Sequence, residues 1–124
     1  MKIAIVALLA VHGLIHTIGL AGTWGWAQFE GASRTPTNII SAGPDDPIVR
    51  ALGGVWLLAL VAFLVAAVLL MGDSAAWRPT ALVAAAISMV PVVLWWENAP
   101  MGALANAVVV AAVLLAPKLD GVAA

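Results

Sequence analysis

Four apolar runs, each close to the length a helix needs to cross a bilayer, constrain this chain more than any other feature. They cover residues 3–21, 48–71, 81–96 (with an approach from Trp77) and 101–116. Apart from Arg50 at the opening of the second, none contains Asp, Glu, Lys or Arg. A hydrocarbon core about 30 Å thick takes roughly 17–25 helical residues. In lipid every backbone polar group must be satisfied within the protein, which favours helices for runs of this kind. Of the 124 residues, 65% are hydrophobic and 9% charged, whereas soluble domains carry about 25% charged residues. The expected fold is all-α: one domain over residues 1–124, a polytopic membrane protein built as a four-transmembrane-helix bundle. The spans are expected near 3–22, 47–71, 77–97 and 100–116, with a long loop over 23–46.

The punctuation between the runs fits this division. Asp46 before Pro47 reads as an N-cap followed by proline at the first helical position. Gly72 suits a C-terminal cap, Pro79 and Pro100 mark the openings of the third and fourth spans, and Pro117 closes the fourth. Asn98 or Ala99 would cap the fourth helix. Pro91 lies inside the third span, where it removes a backbone donor and clashes with the carbonyl of residue 87, so a kink is expected, with Ser88 near enough to help. Lys2 ahead of an apolar run has the look of a secretory signal. The run is longer than a signal core of about 7–15 residues and is interrupted by two histidines, so it is read as a retained span.

Four spans put both termini on one side, with Lys2, Arg78 and Lys118 there and Arg34 and Arg50 opposite. The positive-inside rule then favours cytoplasmic termini in a bacterial inner membrane. Trp24, Trp26, Trp95 and Trp96 fall at the outer boundary and Trp77 at the inner one. The connection over residues 22–46 is far longer than the 2–8 residues usual between packed helices, a length often tied to function or disorder. A net charge of −1 and the lack of a basic patch argue against nucleic acid as a partner. The absence of cysteine excludes disulfides, thiolate metal sites and a cysteine nucleophile.

The first span alone carries strongly polar, titratable side chains at membrane depth. His12 and His16 lie four residues apart, about 40° apart on one helical face. Such groups are costly in lipid and mark a functional-site candidate with a partner. Their spacing is that of a helical metal-ligand pair, with Glu97 the one carboxylate near enough to add a third ligand. One of them could also serve as an axial haem ligand, though two on adjacent turns cannot hold one haem. The structural alternative is a pair of hydrogen-bonded histidines facing other helices, with Asn106, Ser88 or backbone near Pro91 as partners. Around them the same topology gathers Thr17, Arg50, Trp56, Glu97 and Asn98. Arg50 and Glu97 are expected to pair across the outer end. Asn98, Gly102 and Asn106 recur every four residues as a polar-and-small stripe. Ala103, Ala107 and Ala111 form a small-residue face suited to close helix contact, inside the bundle or between copies of the chain.

Three stretches carry a likeness. His12-Gly-Leu-Ile-His16, Arg50-Ala-Leu-Gly-Gly-Val-Trp56-Leu-Leu-Ala and Gly102-Ala-Leu-Ala-Asn106 resemble a widespread set of small, mostly uncharacterised bacterial four-helix integral membrane proteins, some loosely termed permease-like. The resemblance covers nearly the whole chain. It implies the fold and transfers no activity.

No catalytic residue is assigned and the cofactor is left open. The leading expectation is a non-enzymatic accessory or interaction protein in the bilayer, binding a protein partner, a further copy of itself or a small apolar ligand. One alternative is a metal- or haem-binding redox protein that uses the histidines. Another is a small oligomeric transporter, although small multidrug exporters depend on a membrane-embedded glutamate where this chain has histidine.

Overall fold

The Asp46-Pro47 signal opens a helix as its chemistry requires. In the computed structural model, the Asp46 side chain accepts a hydrogen bond from the Ile48 backbone N–H at 3.0 Å, and Pro47 takes the first helical position. The structure describes residues 1–118. Residues 119–124 of the expected domain, and the Lys118 side chain counted in the charge bias, lie outside the described residues. Four helices follow in order: α1 (Lys2–Thr23), α2 (Pro47–Met71), α3 (Trp77–Leu94) and α4 (Pro100–Leu115), then a short 3-10 turn (Ala116–Lys118). No strand occurs among the described residues.

Three of these helices, α1, α2 and α3, are long and apolar enough to cross a membrane. The fourth has 16 residues, about 24 Å at 1.5 Å per residue, short of a typical hydrocarbon core. The third helix stops at Leu94, three residues before the expected end. The long loop supplies the reason. The backbone N–H groups of Thr37 and Asn38 both donate to the Leu94 carbonyl, at 2.8 and 3.1 Å, so that oxygen is taken from the next helical turn. The Asn38 side chain donates to the Val93 carbonyl at 3.2 Å. Orphan carbonyls at a helix end need such partners, and here the loop provides them.

Sequential neighbours pack side by side, α1 on α2, α2 on α3 and α3 on α4, while α4 touches α1 only sparsely. Two apolar clusters fill the interior. One joins Ile5 and Leu9 to Phe63, Leu70, Trp77, Ala84 and Val113. The other joins Leu20, Leu52, Trp56, Leu94 and Trp95. Read along each helix, His12, His16, Ser88 and Asn106 fall between them. Small residues bring the backbones close, as is usual where lipid gives no hydrophobic drive to association. Gly13 receives Phe63, whose Cβ would lie 2.9 Å from a Cβ added there, and Gly19 lies directly under the Trp56 ring. Trp77, expected at the inner boundary, is fully buried in the core, and Trp95 is buried as well. Ala107 and Ala111 are exposed, so that small-residue face looks away from the bundle.

At the end that carries the N-terminus, Lys2 Nζ donates to Asp73 Oδ1 at 2.6 Å and to the Met71 carbonyl at 3.2 Å. A cation thus sits at the C-terminal end of α2, where the helix dipole favours it. At the other end the loop is strapped down. Trp24 Nε1 donates to the Arg50 carbonyl at 2.8 Å and Trp95 Nε1 to the Ser33 carbonyl at 3.0 Å.

A Gly19→Ala substitution tests the α1–α2 contact, because its Cβ would collide with the Trp56 ring. Overpacking of this kind costs about 1–3 kcal/mol. The variant should melt at lower temperature in detergent, with a shifted tryptophan emission. An unchanged melting curve would mean that Trp56 does not rest on this glycine.

Candidate functional site

Four buried polar side chains from three helices close into one hydrogen-bonded ring. His12 Nε2 lies 2.7 Å from Asn106 Oδ1 and His16 Nε2 lies 2.7 Å from Ser88 Oγ. Asn106 Nδ2 donates to Ser88 Oγ at 3.2 Å and to Met89 Sδ at 3.2 Å. His16 Nδ1 lies 2.8 Å from the His12 carbonyl. A carbonyl only accepts, so His16 carries a proton on Nδ1 and, as a neutral imidazole, accepts at Nε2. Ser88 therefore donates its hydroxyl proton to His16 and accepts from Asn106. The Asn106 oxygen then accepts from His12 Nε2–H. Every bond in the ring has one donor and one acceptor with both imidazoles neutral. Flipping the Asn106 amide would break this direction, because Ser88 would have to donate twice.

The second helix adds rings and no hydrogen bond. Phe63 meets the His12 ring edge-on at 4.7 Å, and Trp56 meets His16 edge-on at 5.6 Å. Such edge-to-face pairs are favourable beyond simple area burial. Trp56 also meets Trp95 at 5.6 Å. Its Nε1 is buried without a hydrogen-bond partner, which is rare for a buried indole and calls for an explanation.

Above the ring lies a cavity of about 550 Å³. Its floor holds His12 and His16, and its sides are Gly19 and Gly22 of α1 together with Trp56, Val92 and Trp95. The loop roofs it with Trp26, Phe29 and Arg34, and α4 contributes Met101 and Gly102. The space lies between α1 and α4, two helices that touch only sparsely. Ile15, Ile18 and Met101 at the rim are exposed.

The expected site residues divide into three groups. His12, His16, Ser88 and Asn106 form the ring, and Trp56 borders both ring and cavity. Asn98 is drawn to the loop, where its Oδ1 accepts from the Ser33 N–H at 3.0 Å and its Nδ2 donates to the Gly31 carbonyl at 2.7 Å. The polar stripe through Asn98, Gly102 and Asn106 is therefore split, and Gly102 instead packs against Val92. Three expectations fail. Thr17 is exposed, because one residue past His16 turns it about 100° off the buried face. Arg50 and Glu97 are both exposed and form no ion pair; Lys2–Asp73 is the salt bridge found among the described residues. Ser88 serves the ring and leaves the carbonyl freed by Pro91 alone.

No third His, Cys, Asp or Glu joins the histidines among the described residues, and both Nε2 atoms are already engaged. Gly19, Gly22, Trp95 and Arg34 were not foreseen as lining residues. The Gly-Leu-Ala-Gly sequence at the end of α1 signals room for a neighbour. Nothing local signals that the loop folds back over it.

These features define an all-helical protein with three helices able to span a membrane, a closed polar ring at mid-height and a cavity above it. No family model, curated protein or solved structure matches the chain. The likeness to small bacterial membrane proteins stays a likeness of short motifs.

The ring predicts coupling. Ser88→Ala and Asn106→Ala should each lower stability by about 1–2 kcal/mol. Together they should lose at least about 0.5 kcal/mol less than the sum, since they share one network. Arg50→Ala and Glu97→Ala should add. Thermal melts of the singles and doubles in detergent check both cycles.

Proposed function

We propose that the chain is a four-span protein of a cell membrane, termini cytoplasmic, that holds one small, largely apolar ligand taken from the bilayer. The short α4 completes the bundle by local thinning of the bilayer or by its flanking residues. Exposed Val11, Leu14, Leu58, Val65, Val83, Leu104 and Val108 give the helices an apolar exterior fit for lipid. Such a surface would be a liability in water.

The observation that carries the reading is the cavity with Trp56 in its wall. Its volume falls in the range of ligand sites, about 300–1,000 Å³, and its lining is mostly apolar with a few polar groups, as such sites are. Binding is favoured over catalysis by the state of the ring. Ser88 and His16 have the separation of a nucleophile and its base, but Ser88 is wholly buried and does not border the cavity. A ligand there cannot bring a reacting carbon to its Oγ. The ring is better described as the rigid floor that fixes the cavity's shape.

Gly22 offers a clean test. It lines the cavity, and a Cβ added there meets nothing within 4 Å, so Gly22→Phe should fill the space without disturbing the fold. Native mass spectrometry of protein extracted from its own membranes should find one amphiphile per wild-type chain and none on Gly22→Phe. Equal occupancy of the two proteins would refute a ligand in this cavity. Orientation is checked separately with single cysteines at Asp45 and Ala75. In intact cells an impermeant thiol reagent should label the first alone, and the reverse pattern would invert the topology.

A further inference from the structure

The polar groups of the cavity are unevenly chosen. The chain has more acidic than basic residues, 6 against 5, yet the one charged side chain in the lining is Arg34 and no carboxylate faces the space. Arg34 forms no ion pair among the described residues, although Glu30 is only four positions away. It is held beside Gly25, whose φ of +73° and missing side chain leave room for the guanidinium: a Cβ there would lie 2.8 Å from Nη2. Deeper in, Trp56 is 7% exposed and its Nε1 has no acceptor. The two donors stand at different heights. Trp56 rests beside Gly19, inside α1, whereas Arg34 rests beside Gly25, in the turn past the end of α1. Below and beside Trp56, the exposed Ile15 and Ile18 of α1 and Met101 of α4 line an apolar way out between two helices that scarcely touch.

A fitting molecule therefore has three parts in sequence. It has an anion at the rim, a neutral hydrogen-bond acceptor a few bonds further in, and a single apolar chain that leaves sideways into the bilayer. We infer that the cavity binds a monoacyl lipid with a phosphate head group. The phosphate meets Arg34, the ester carbonyl accepts from Trp56 Nε1 as the indole turns its N–H toward the cavity, and the acyl chain leaves past Ile18. This rests on the ligand-binding reading above. The planar fork of arginine suits a phosphate, and a satisfied indole N–H removes the cost of a buried unpaired donor. A diacyl lipid would have to seat a second chain in a space already walled by Trp56, Trp95 and the loop.

Four ligands separate the parts: a monoacyl glycerophosphate, its ether analogue without the carbonyl, a monoacylglycerol without the phosphate, and the free fatty acid. Binding to the full chain in detergent is read by native mass spectrometry at matched concentrations. The glycerophosphate should bind about fivefold more tightly than the ether and about fivefold more tightly than the monoacylglycerol. The fatty acid, whose single head group reaches one donor only, should fall below it as well. Arg34→Gln should reduce the glycerophosphate to the level of the monoacylglycerol and leave the latter unchanged. Trp56→Phe should erase the difference between ester and ether. The wild-type ester–ether comparison stands even if Trp56→Phe folds poorly. If all four ligands bind equally and Gly22→Phe abolishes them, the cavity binds ligands but this assignment of the head group is wrong. If none binds saturably, the ligand-binding reading falls with it.

Discussion

A polar side chain inside an apolar bundle must find its partners there, and the four-residue ring is how this chain meets that demand. The ring ties α1 to α3 through His16 and Ser88, and α1 to α4 through His12 and Asn106. The second bond matters most for architecture. Few other contacts join α1 to α4, so Asn106 is the principal link between the first helix and the last. Because donors and acceptors alternate around the ring, its geometry is fixed by every member together. Losing one leaves its neighbours unsatisfied in a buried, apolar interior, where an unpaired polar group is costly.

From that fixed level the two ends of the bundle diverge. On the side of the N-terminus, alanines and a few large rings, Phe63 and Trp77 among them, fill the interior. On the other side α1 and α4 separate, and bulk is supplied by Trp56, Trp95 and the loop. This arrangement leaves space, since rigid indoles cannot pack as closely as interleaved aliphatic chains. The cavity is thus the consequence of three things at once. The ring is the polar tie between α1 and α4, which otherwise touch sparsely, glycines line the end of α1, and a loop is anchored across the gap.

The loop is more than a connector. Its backbone caps α3 by occupying the Leu94 carbonyl, and the turn that follows α3 in return clamps the loop through Trp95 and Asn98. Each satisfies polar groups that the other would leave exposed near the end of an apolar bundle. Helix end and roof therefore form as one unit, and the roof stays closed over the ring without any covalent tie.

How much of this was legible in the sequence follows from what is local. Run length and hydropathy determine four helices, because an apolar segment of that length has few other ways to satisfy its backbone. Asp46-Pro47 and Pro100 determine two of their starts, since capping and the missing proline donor act within one turn. The cost of burying imidazole determines that His12 and His16 face the interior, and it points to Ser88 and Asn106 because few other polar groups share that depth. The tertiary structure alone decided that Thr17, Arg50 and Glu97 stand apart from the site. A rotation of one residue, or the freedom of a long charged side chain at a helix end, outweighs nearness in sequence. It alone also decided where α3 stops and that a cavity exists at all, because both depend on a loop folding back onto a helix more than fifty residues away, a contact that no local pattern encodes.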